Sequence, residues 1–155
     1  MKPFIRICLG VMLSFLFLAS AATASSVPSG SINWLTYDEA QKQGQDQSRK
    51  YLLYFYTDWC TYCRKLEQNT FVDKEVAAYV NQNFIPVRIN SEQMPKIAAR
   101  YRINGVPNLR FLTSKGEDIA HWPGYIEAAR FLPLLKYIQT DSYIKMGYSE
   151  FLKQP

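Results

Sequence analysis

Two cysteines separated by two residues, Cys60 and Cys63, are the side chains of this sequence best suited to covalent chemistry. They directly follow an apolar run, Tyr51–Tyr56, that predicts a buried strand, and a helical pattern begins after them. Cys60 is therefore expected at a strand-to-helix turn, where free backbone N–H groups and the helix dipole stabilise an anion. The thiolate is the nucleophile of disulfide exchange, and Cys63 is close enough to close a disulfide or resolve a mixed one. The spacing predicts redox chemistry.

The N-terminus predicts that the chain is exported. Lys2 and Arg6 precede a short apolar run, and the small residues Ala-Thr-Ala follow at residues 22–24. This is the pattern of a secretory signal peptide, with cleavage expected between Ala24 and Ser25. The apolar run is shorter than the roughly 18 residues of a membrane span, so we expect a soluble periplasmic protein. An uncleaved membrane anchor is the alternative.

Charge and cysteine count narrow the chemistry further. Loss of the signal peptide removes two of 18 basic residues and none of the 13 acidic ones, leaving a net charge of +3. No basic block interleaves with aromatic residues, so nucleic-acid binding has no support. Loss of Cys8 leaves Cys60 and Cys63, and one close pair constrains little of an unfolded chain. Besides this pair only His121 resembles a zinc ligand, so we predict neither a metal site nor a cofactor.

Composition and periodicity divide the chain into four parts. Residues 1–24 are the signal peptide, residues 25–31 a flexible leader, residues 32–140 one domain, and residues 141–155 a C-terminal extension packed on that domain. The leader is rich in serine, proline and glycine, whereas the extension carries several aromatic side chains.

Strands alternate with helices along the domain. Predicted strands cover Ile32–Trp34, Tyr51–Thr57, Phe84–Asn90, Asn108–Thr113 and Asp118–Trp122. Predicted helices cover Tyr37–Ser48, Thr61–Gln68, Asp73–Gln82, Lys96–Tyr101 and Glu127–Thr140. This order predicts an α/β fold with a central mixed sheet flanked by helices, ending in a β-hairpin and a helix.

Two motifs in this setting resemble the thioredoxin superfamily. They are Trp59-Cys60-x-x-Cys63 after a strand and Gly105-Val106-Pro107 before a later strand. Asp58-Trp59-Cys60, together with Lys65-Leu66-Glu67 and Thr70-Phe71, is similar to the exported branch of that family. This branch includes SoxW-type periplasmic thioredoxins and the C-terminal domain of the transmembrane reductase DsbD. The resemblance implies the thioredoxin fold.

The resemblance also implies roles for residues around the cysteines. Cys60 would be the attacking thiol and Cys63 the buried resolving thiol, the two forming the redox-active disulfide. Trp59 would cover one side of the site, and the Thr61-Tyr62 dipeptide would help to set the redox potential.

A second wall of the site is expected from a proline. The family implies a cis peptide bond between Val106 and Pro107, with Pro107 beside the disulfide. The neighbouring backbone would receive the substrate chain.

One departure from the family pattern concerns proton transfer. Cytoplasmic thioredoxins and the DsbD domain have an acidic residue six positions before the first cysteine, where this chain has Tyr54. Tyrosine, with a reference pKa of about 10, is a poor base at neutral pH. Glu67 lies four residues after Cys63 on the same helix face and is the candidate substitute. The alternative is that Glu67 is a solvated helix carboxylate.

These features predict an exported thiol–disulfide oxidoreductase that works without a cofactor. Resemblance to reducing-pathway members favours a monomeric reductase of disulfide-bearing exported proteins, re-reduced by a membrane electron donor of the DsbD or CcdA type. Three alternatives stay open: a thiol oxidase of the same fold, a Cu(I)-binding chaperone without redox turnover, and a redox-inactive interaction protein.

Overall fold

The computed structural model describes residues 30–43 and 49–154. The predicted signal peptide, its cleavage site, most of the leader and the end of the first predicted helix lie outside the described residues. No helix within the described ranges is long and apolar enough to cross a membrane. Of the leader, Gly30 and Ser31 are described, and the Ser31 carbonyl accepts a hydrogen bond from Asn81 Nδ2 at 2.8 Å.

Four strands form one mixed sheet with helices on both faces. The strands are β1 (Lys50–Tyr56), β2 (Phe84–Asn90), β3 (Asn108–Leu112) and β4 (Asp118–Pro123). The helices are α1 (Tyr37–Gln43), α2 (Thr61–Asn69), α3 (Lys74–Asn83), α4 (Pro95–Arg100), α5 (Ala128–Gln139) and α6 (Tyr148–Phe151), with a 3₁₀ turn at Ser142–Ile144. The strand order is β2-β1-β3-β4, with β1 parallel to β2 and antiparallel to β3. The predicted mixed sheet with a terminal hairpin and helix is confirmed.

Side chains along β1 point alternately to the two faces of the sheet, so each face has its own hydrophobic core. Leu52 and Tyr54 point to the face covered by α2, α3 and α5, and both are fully buried. Leu53 and Phe55 point to the opposite face, covered by α1 and α4. Because both faces are covered, β1 is the central apolar strand that its sequence predicts.

The helices α1 and α3 begin at the capping residues that the sequence predicts. Thr36 and Glu39 form a capping box at α1, since the Thr36 N–H donates to Glu39 Oε2 at 2.8 Å and the Glu39 N–H donates to Thr36 Oγ1 at 3.3 Å. Asp73 caps α3 by accepting hydrogen bonds from two backbone N–H groups. The last long helix begins at Ala128, one residue later than predicted, and continues through Pro133.

The predicted strand at Ile32–Trp34 is wrong. The Trp34 N–H bonds to the carbonyl two residues earlier at 3.0 Å, so the chain turns instead of extending. This turn directs the Trp34 ring onto the core, 5.5 Å from the ring of Tyr54. Pairing begins one residue later, where Leu35 forms a single parallel bridge to Val87 beside the edge strand β2. Packing of the partly buried indole against the core therefore prevails over strand propensity.

The residues after α5 return onto that helix. The Tyr137 ring lies 5.2 Å from Tyr148 and 5.3 Å from Phe151, and its hydroxyl donates to the Met146 carbonyl at 2.7 Å. Residues 141–154 thus contribute an aromatic cluster that packs against the outer side of α5.

Candidate active site

A disulfide joins Cys60 and Cys63 at the turn between β1 and α2. Cys60 is the N-cap residue of α2, with an extended backbone (φ −72°, ψ 107°), and its Sγ accepts a hydrogen bond from the Cys63 N–H at 3.1 Å. The exposed fraction is 4% for Cys60 and 1% for Cys63. The predicted strand-to-helix position of Cys60 is confirmed. The Cys63 N–H therefore points at the atom that would carry the negative charge of a Cys60 thiolate.

Hydrogen bonds from two elements hold this turn in place. Arg64, in the first turn of α2, donates to the Asp58 carbonyl at 3.0 Å and lies 3.4 Å from Thr61 Oγ1. Asn90, at the end of β2, donates from Nδ2 to the Asp58 carboxylate at 3.1 Å. Sequence reasoning did not identify Asn90. The sequence feature that could have identified it is an amide side chain at the end of an apolar strand.

Two exposed aromatic side chains border the buried disulfide. The exposed fraction is 67% for Trp59 and 62% for Tyr62. The Trp59 indole N–H donates to Glu92 Oε1 at 2.8 Å, which fixes the orientation of the ring. The two rings therefore form an exposed apolar surface next to the buried disulfide.

The proline loop reaches the same edge of the sheet as the disulfide. The Val106–Pro107 peptide bond is cis, as expected. Phe55 pairs with Asn108 in the antiparallel β1–β3 ladder, so the chain that leaves β1 toward Cys60 and the chain that enters β3 from Pro107 share one edge. Pro107 is buried, and its carbonyl accepts a hydrogen bond from the Gly124 N–H at 2.8 Å.

Tyr54 occupies the position where the family pattern has an acid, and it lies beneath α2. Its hydroxyl is 3.0 Å from Glu67 Oε1 and 3.4 Å from the Cys63 carbonyl oxygen, so one proton faces two acceptors. Burial raises the pKa of Tyr54 far above its usual value, and the neighbouring Glu67 carboxylate raises it further. Tyr54 is therefore a neutral hydrogen-bond donor and not a base.

Glu67 connects this buried hydroxyl to the protein surface. Its side chain is 31% exposed, and its Oε1 lies 2.7 Å from Arg88 Nη2 on β2. The Arg88 guanidinium also lies 4.0 Å from the centre of the Tyr56 ring. Sequence reasoning missed Arg88, although a single cation within the apolar strand Phe84–Asn90 marks it. Glu67 is thus held by a hydroxyl on one side and a cation on the other.

Metal ligands do not cluster in the described part of the chain. Across residues 30–43 and 49–154, no group of three or more His, Cys, Asp or Glu side chains could hold a metal ion. His121 is exposed on β4, where it pairs with Arg110 of β3. The reduced cysteine pair would offer a metal ion two thiolates.

A buried Cys-x-x-Cys disulfide at the start of a helix, on this mixed sheet, defines a thiol–disulfide oxidoreductase of the thioredoxin fold. The family model for the thioredoxin-like domain, Thioredoxin_2, matches residues 37–139. The chain belongs to this thioredoxin-like family.

Two proteins that are similar in sequence are much longer than this chain. It is 28% identical over 111 residues to the thiol:disulfide interchange protein DsbD of Photorhabdus laumondii, covering 68% of this chain and 19% of that protein. It is 28% identical over 138 residues to DsbD of Vibrio vulnificus, covering 84% of this chain and 23% of that protein. The chain therefore spans about a fifth of the length of these relatives.

Solved structures share the fold. A thioredoxin from Thermus thermophilus superposes with a TM-score of 0.63 at 26% identity, covering 70% of this chain and 87% of that one. A DsbH oxidoreductase superposes with a TM-score of 0.62 at 18% identity, covering 76% and 92%. At 18% identity, the similarity to the DsbH oxidoreductase shows a shared fold only.

Proposed function

We propose that this chain is an exported thiol–disulfide oxidoreductase that reduces disulfides in exported partner proteins. The observation that carries the proposal is the Cys60–Cys63 disulfide, buried at the N-terminus of α2 and bordered by exposed aromatic rings. Similarity to proteins named thiol:disulfide interchange protein supports the same chemistry.

The cycle transfers two electrons from the cysteine pair to the substrate. The Cys60 thiolate attacks one sulfur of a substrate disulfide, so a mixed disulfide forms and the substrate S–S bond breaks. The departing substrate thiolate takes a proton. Cys63 then loses its proton and attacks Cys60 Sγ, which releases the second substrate thiolate and leaves the protein oxidised.

The first step depends on the start of α2. The Cys63 N–H, 3.1 Å from Cys60 Sγ, and the dipole of a nine-residue helix both favour negative charge at that sulfur. These interactions favour the Cys60 thiolate as the attacking group.

The second step needs an acceptor for the Cys63 proton. Tyr54 cannot serve, because burial keeps it protonated. We assign the role to Glu67, whose carboxylate shares the Tyr54 hydroxyl with the Cys63 carbonyl and is open to solvent on its other side. Arg88 positions that carboxylate.

Substrate binding is assigned to the surface around the cysteines. Trp59 and Tyr62 supply apolar contact, the Thr61 backbone follows the attacking sulfur, and the Val106–Pro107 loop receives the substrate chain. The predicted signal peptide would direct the chain into the periplasm, and its cleavage would release the domain there. There the oxidised protein would need a membrane electron donor to return it to the dithiol state.

Trapping tests this proposal directly. Cys63→Ser, expressed with the predicted signal peptide, should accumulate mixed disulfides with exported proteins, because the resolving thiol is gone. Cys60→Ser is the matched control and should trap none. Absence of any adduct on Cys63→Ser would refute the proposed cycle. The equilibrium with glutathione decides the direction, since a strongly oxidising potential contradicts a reductase.

A further inference from the structure

A cavity of about 350 Å³ lies between the α4–β3 loop and the β3–β4 hairpin. We call it the hairpin cavity. It borders cis-Pro107 on one side, and its lining includes the cationic residues Arg102 and Arg110. The mechanism above uses neither arginine, although both lie next to the loop assigned to the substrate chain.

Strand register collects the polar lining on one face of the hairpin. Arg110 pairs with His121 across the β3–β4 ladder, and Asn108 pairs with Pro123. Residues two apart on a strand share a face, so Asn108, Arg110 and His121 all line the cavity. Leu109, between the two polar residues of β3, points instead into the core.

Arg110 presents part of its side chain to this cavity, since 12% of that side chain is exposed. Its Nη1 pairs with Asp118 Oδ2 at 2.7 Å. Its Nε and Asn108 Oδ1 have no hydrogen-bond partner among the described residues, but both atoms are buried beneath the surface, so a ligand in the cavity does not reach them. A guanidinium binds a carboxylate through charge-assisted hydrogen bonds from its accessible N–H groups.

Arg102 provides an independent observation. It ends α4 in a Schellman motif, because its N–H donates to the Ala99 carbonyl and the Ile103 N–H donates to the Ala98 carbonyl, both at 2.9 Å. This position requires a left-handed backbone, and Arg102 has φ +53°. Glycine adopts that conformation without strain and is the usual residue there. A strained arginine that also lines the cavity indicates a use for its side chain.

We propose that the hairpin cavity binds the carboxylate of an acidic residue in the substrate chain, close to the cysteine under attack. The inference rests on the proposed function, which brings the substrate across the Pro107 loop. Arg102 and Arg110 together outweigh the single carboxylate of Asp118, so the cavity favours an anion. The exposed Arg102 side chain and the accessible part of the Arg110 side chain supply the donors to that anion.

Binding can be measured apart from redox turnover. The oxidised full chain is titrated with blocked peptides in which serine replaces the reactive cysteine. Each peptide carries Glu one, two or three residues from that serine, with a Gln peptide as its pair. The Arg110 Nε–H resonance and the His121 ring resonances are followed by NMR. We expect saturable shifts with at least one Glu peptide and none with its Gln partner.

Two substitutions locate the site. Arg110→Lys keeps a cation opposite Asp118 but removes the guanidinium donors, and Arg102→Gly removes the second guanidinium and relieves the left-handed backbone. Both should abolish the preference for Glu over Gln, while Arg102→Gly leaves the melting temperature unchanged or higher. Arg100→Gln, an exposed arginine two residues from Arg102 and outside this cavity, is the control and should keep the preference.

Kinetics with the matching peptide disulfides complete the test. We expect kcat/KM for the Glu peptide to exceed that for the Gln peptide by about fivefold or more, and this ratio to approach one in Arg110→Lys and Arg102→Gly. Equal binding of Glu and Gln peptides, or a preference that survives both substitutions, overturns the inference. Glu-specific binding lost in both variants, with neither peptide disulfide reduced, would support the cavity and refute the proposed reductase.

Discussion

Tyr54 and Glu67 share one hydrogen bond of 3.0 Å directly beneath Cys63. The resemblance of the sequence to the thioredoxin superfamily predicts an acidic residue on the strand, at the position of Tyr54. Here the carboxylate stands on α2, and the strand contributes a neutral hydroxyl between it and the Cys63 carbonyl. The Glu67 side chain is 31% exposed, so this carboxylate keeps contact with water that a carboxylate on the buried strand would lack.

Glu67→Gln tests whether this carboxylate takes the Cys63 proton. Glutamine still accepts from Tyr54 but cannot act as a base, so resolution of the mixed disulfide should slow by roughly ten- to hundredfold near neutral pH. The loss should shrink at higher pH, where hydroxide and the ionised thiol replace the missing base. Stopped-flow measurement of substrate release from a preformed mixed disulfide, between pH 6 and pH 9, reports this step.

The control for Glu67→Gln is Glu127→Gln, which alters an exposed carboxylate at the start of α5 that makes no side-chain cap. Glu127→Gln should leave the pH dependence of mixed-disulfide resolution unchanged. If Glu67→Gln also leaves the pH profile unchanged, Glu67 has no part in proton transfer. The carboxylate would then serve only its contacts with Tyr54 and Arg88.

Tyr54→Phe should alter stability at alkaline pH. Burial and the Glu67 carboxylate raise the pKa of Tyr54 in the folded state, whereas an unfolded tyrosine ionises near pH 10. Above that pH the unfolded chain therefore binds fewer protons than the native chain, and stability falls as pH rises. Removing this one group should make the decline shallower by about 1.4 kcal/mol per pH unit. Urea unfolding at several pH values between 8 and 11.5 measures the slope.

The decline will not vanish in Tyr54→Phe, because burial also raises the pKa of other tyrosines, including Tyr51 and Tyr101. Tyr62→Phe, which alters an exposed ring, serves as the control and should keep the native slope. An unchanged slope in Tyr54→Phe would mean that Tyr54 ionises equally well in the folded state.

How far the sequence predicts the fold depends on how local the determining interactions are. The strand Lys50–Tyr56 and the capped start of α3 follow from apolar runs and capping residues a few positions apart. The cis bond before Pro107 is not visible in any local pattern and was predicted only from resemblance. Trp34 turns inward because its indole contacts the ring of Tyr54, 20 positions later in the chain, and strand propensity contains no such information.

The candidate site shows the same limit. Cys60 and Cys63 carry their own signal in their spacing, so the sequence identifies them. Arg88 matters only because the parallel β1–β2 register places it opposite Tyr54, near Glu67. Arg102 could not be selected from the sequence, because the residue type predicts neither its left-handed backbone nor its position in the wall of the hairpin cavity.

Trp59→Phe should separate substrate contact from stability. The ring is two-thirds exposed, so the free energy of unfolding should change by less than about 0.5 kcal/mol. Phenylalanine cannot donate to Glu92, and the smaller ring loses its fixed orientation. We expect kcat/KM for a peptide disulfide to fall several-fold, mainly through KM. Glu92→Gln keeps an acceptor for the indole and should preserve most activity, whereas equal losses in both variants would point to the charge of Glu92.

Truncation after Thr140 should lower stability and spare catalysis. The Tyr137 ring would lose its contacts with Tyr148 and Phe151, at about 0.5–1.5 kcal/mol each, and its hydroxyl would lose the Met146 carbonyl, at about 1 kcal/mol. We therefore expect a fall of roughly 2–4 kcal/mol in the free energy of unfolding, measured by urea denaturation. Tyr137→Phe removes only the hydrogen bond and should account for about 1 kcal/mol of it.

Catalysis should survive this truncation because the extension lies at the far end of β1 from the cysteines. Lys50, the first residue of β1, pairs with Asp141 at 3.0 Å, whereas Cys60 follows the last residue of that strand. Seven residues of strand separate the two ends by roughly 20 Å. Peptide-disulfide reduction by the truncated chain, assayed well below its melting temperature, should match that of the full chain. A selective loss of kcat/KM with the fold intact would instead assign residues 141–155 to substrate binding.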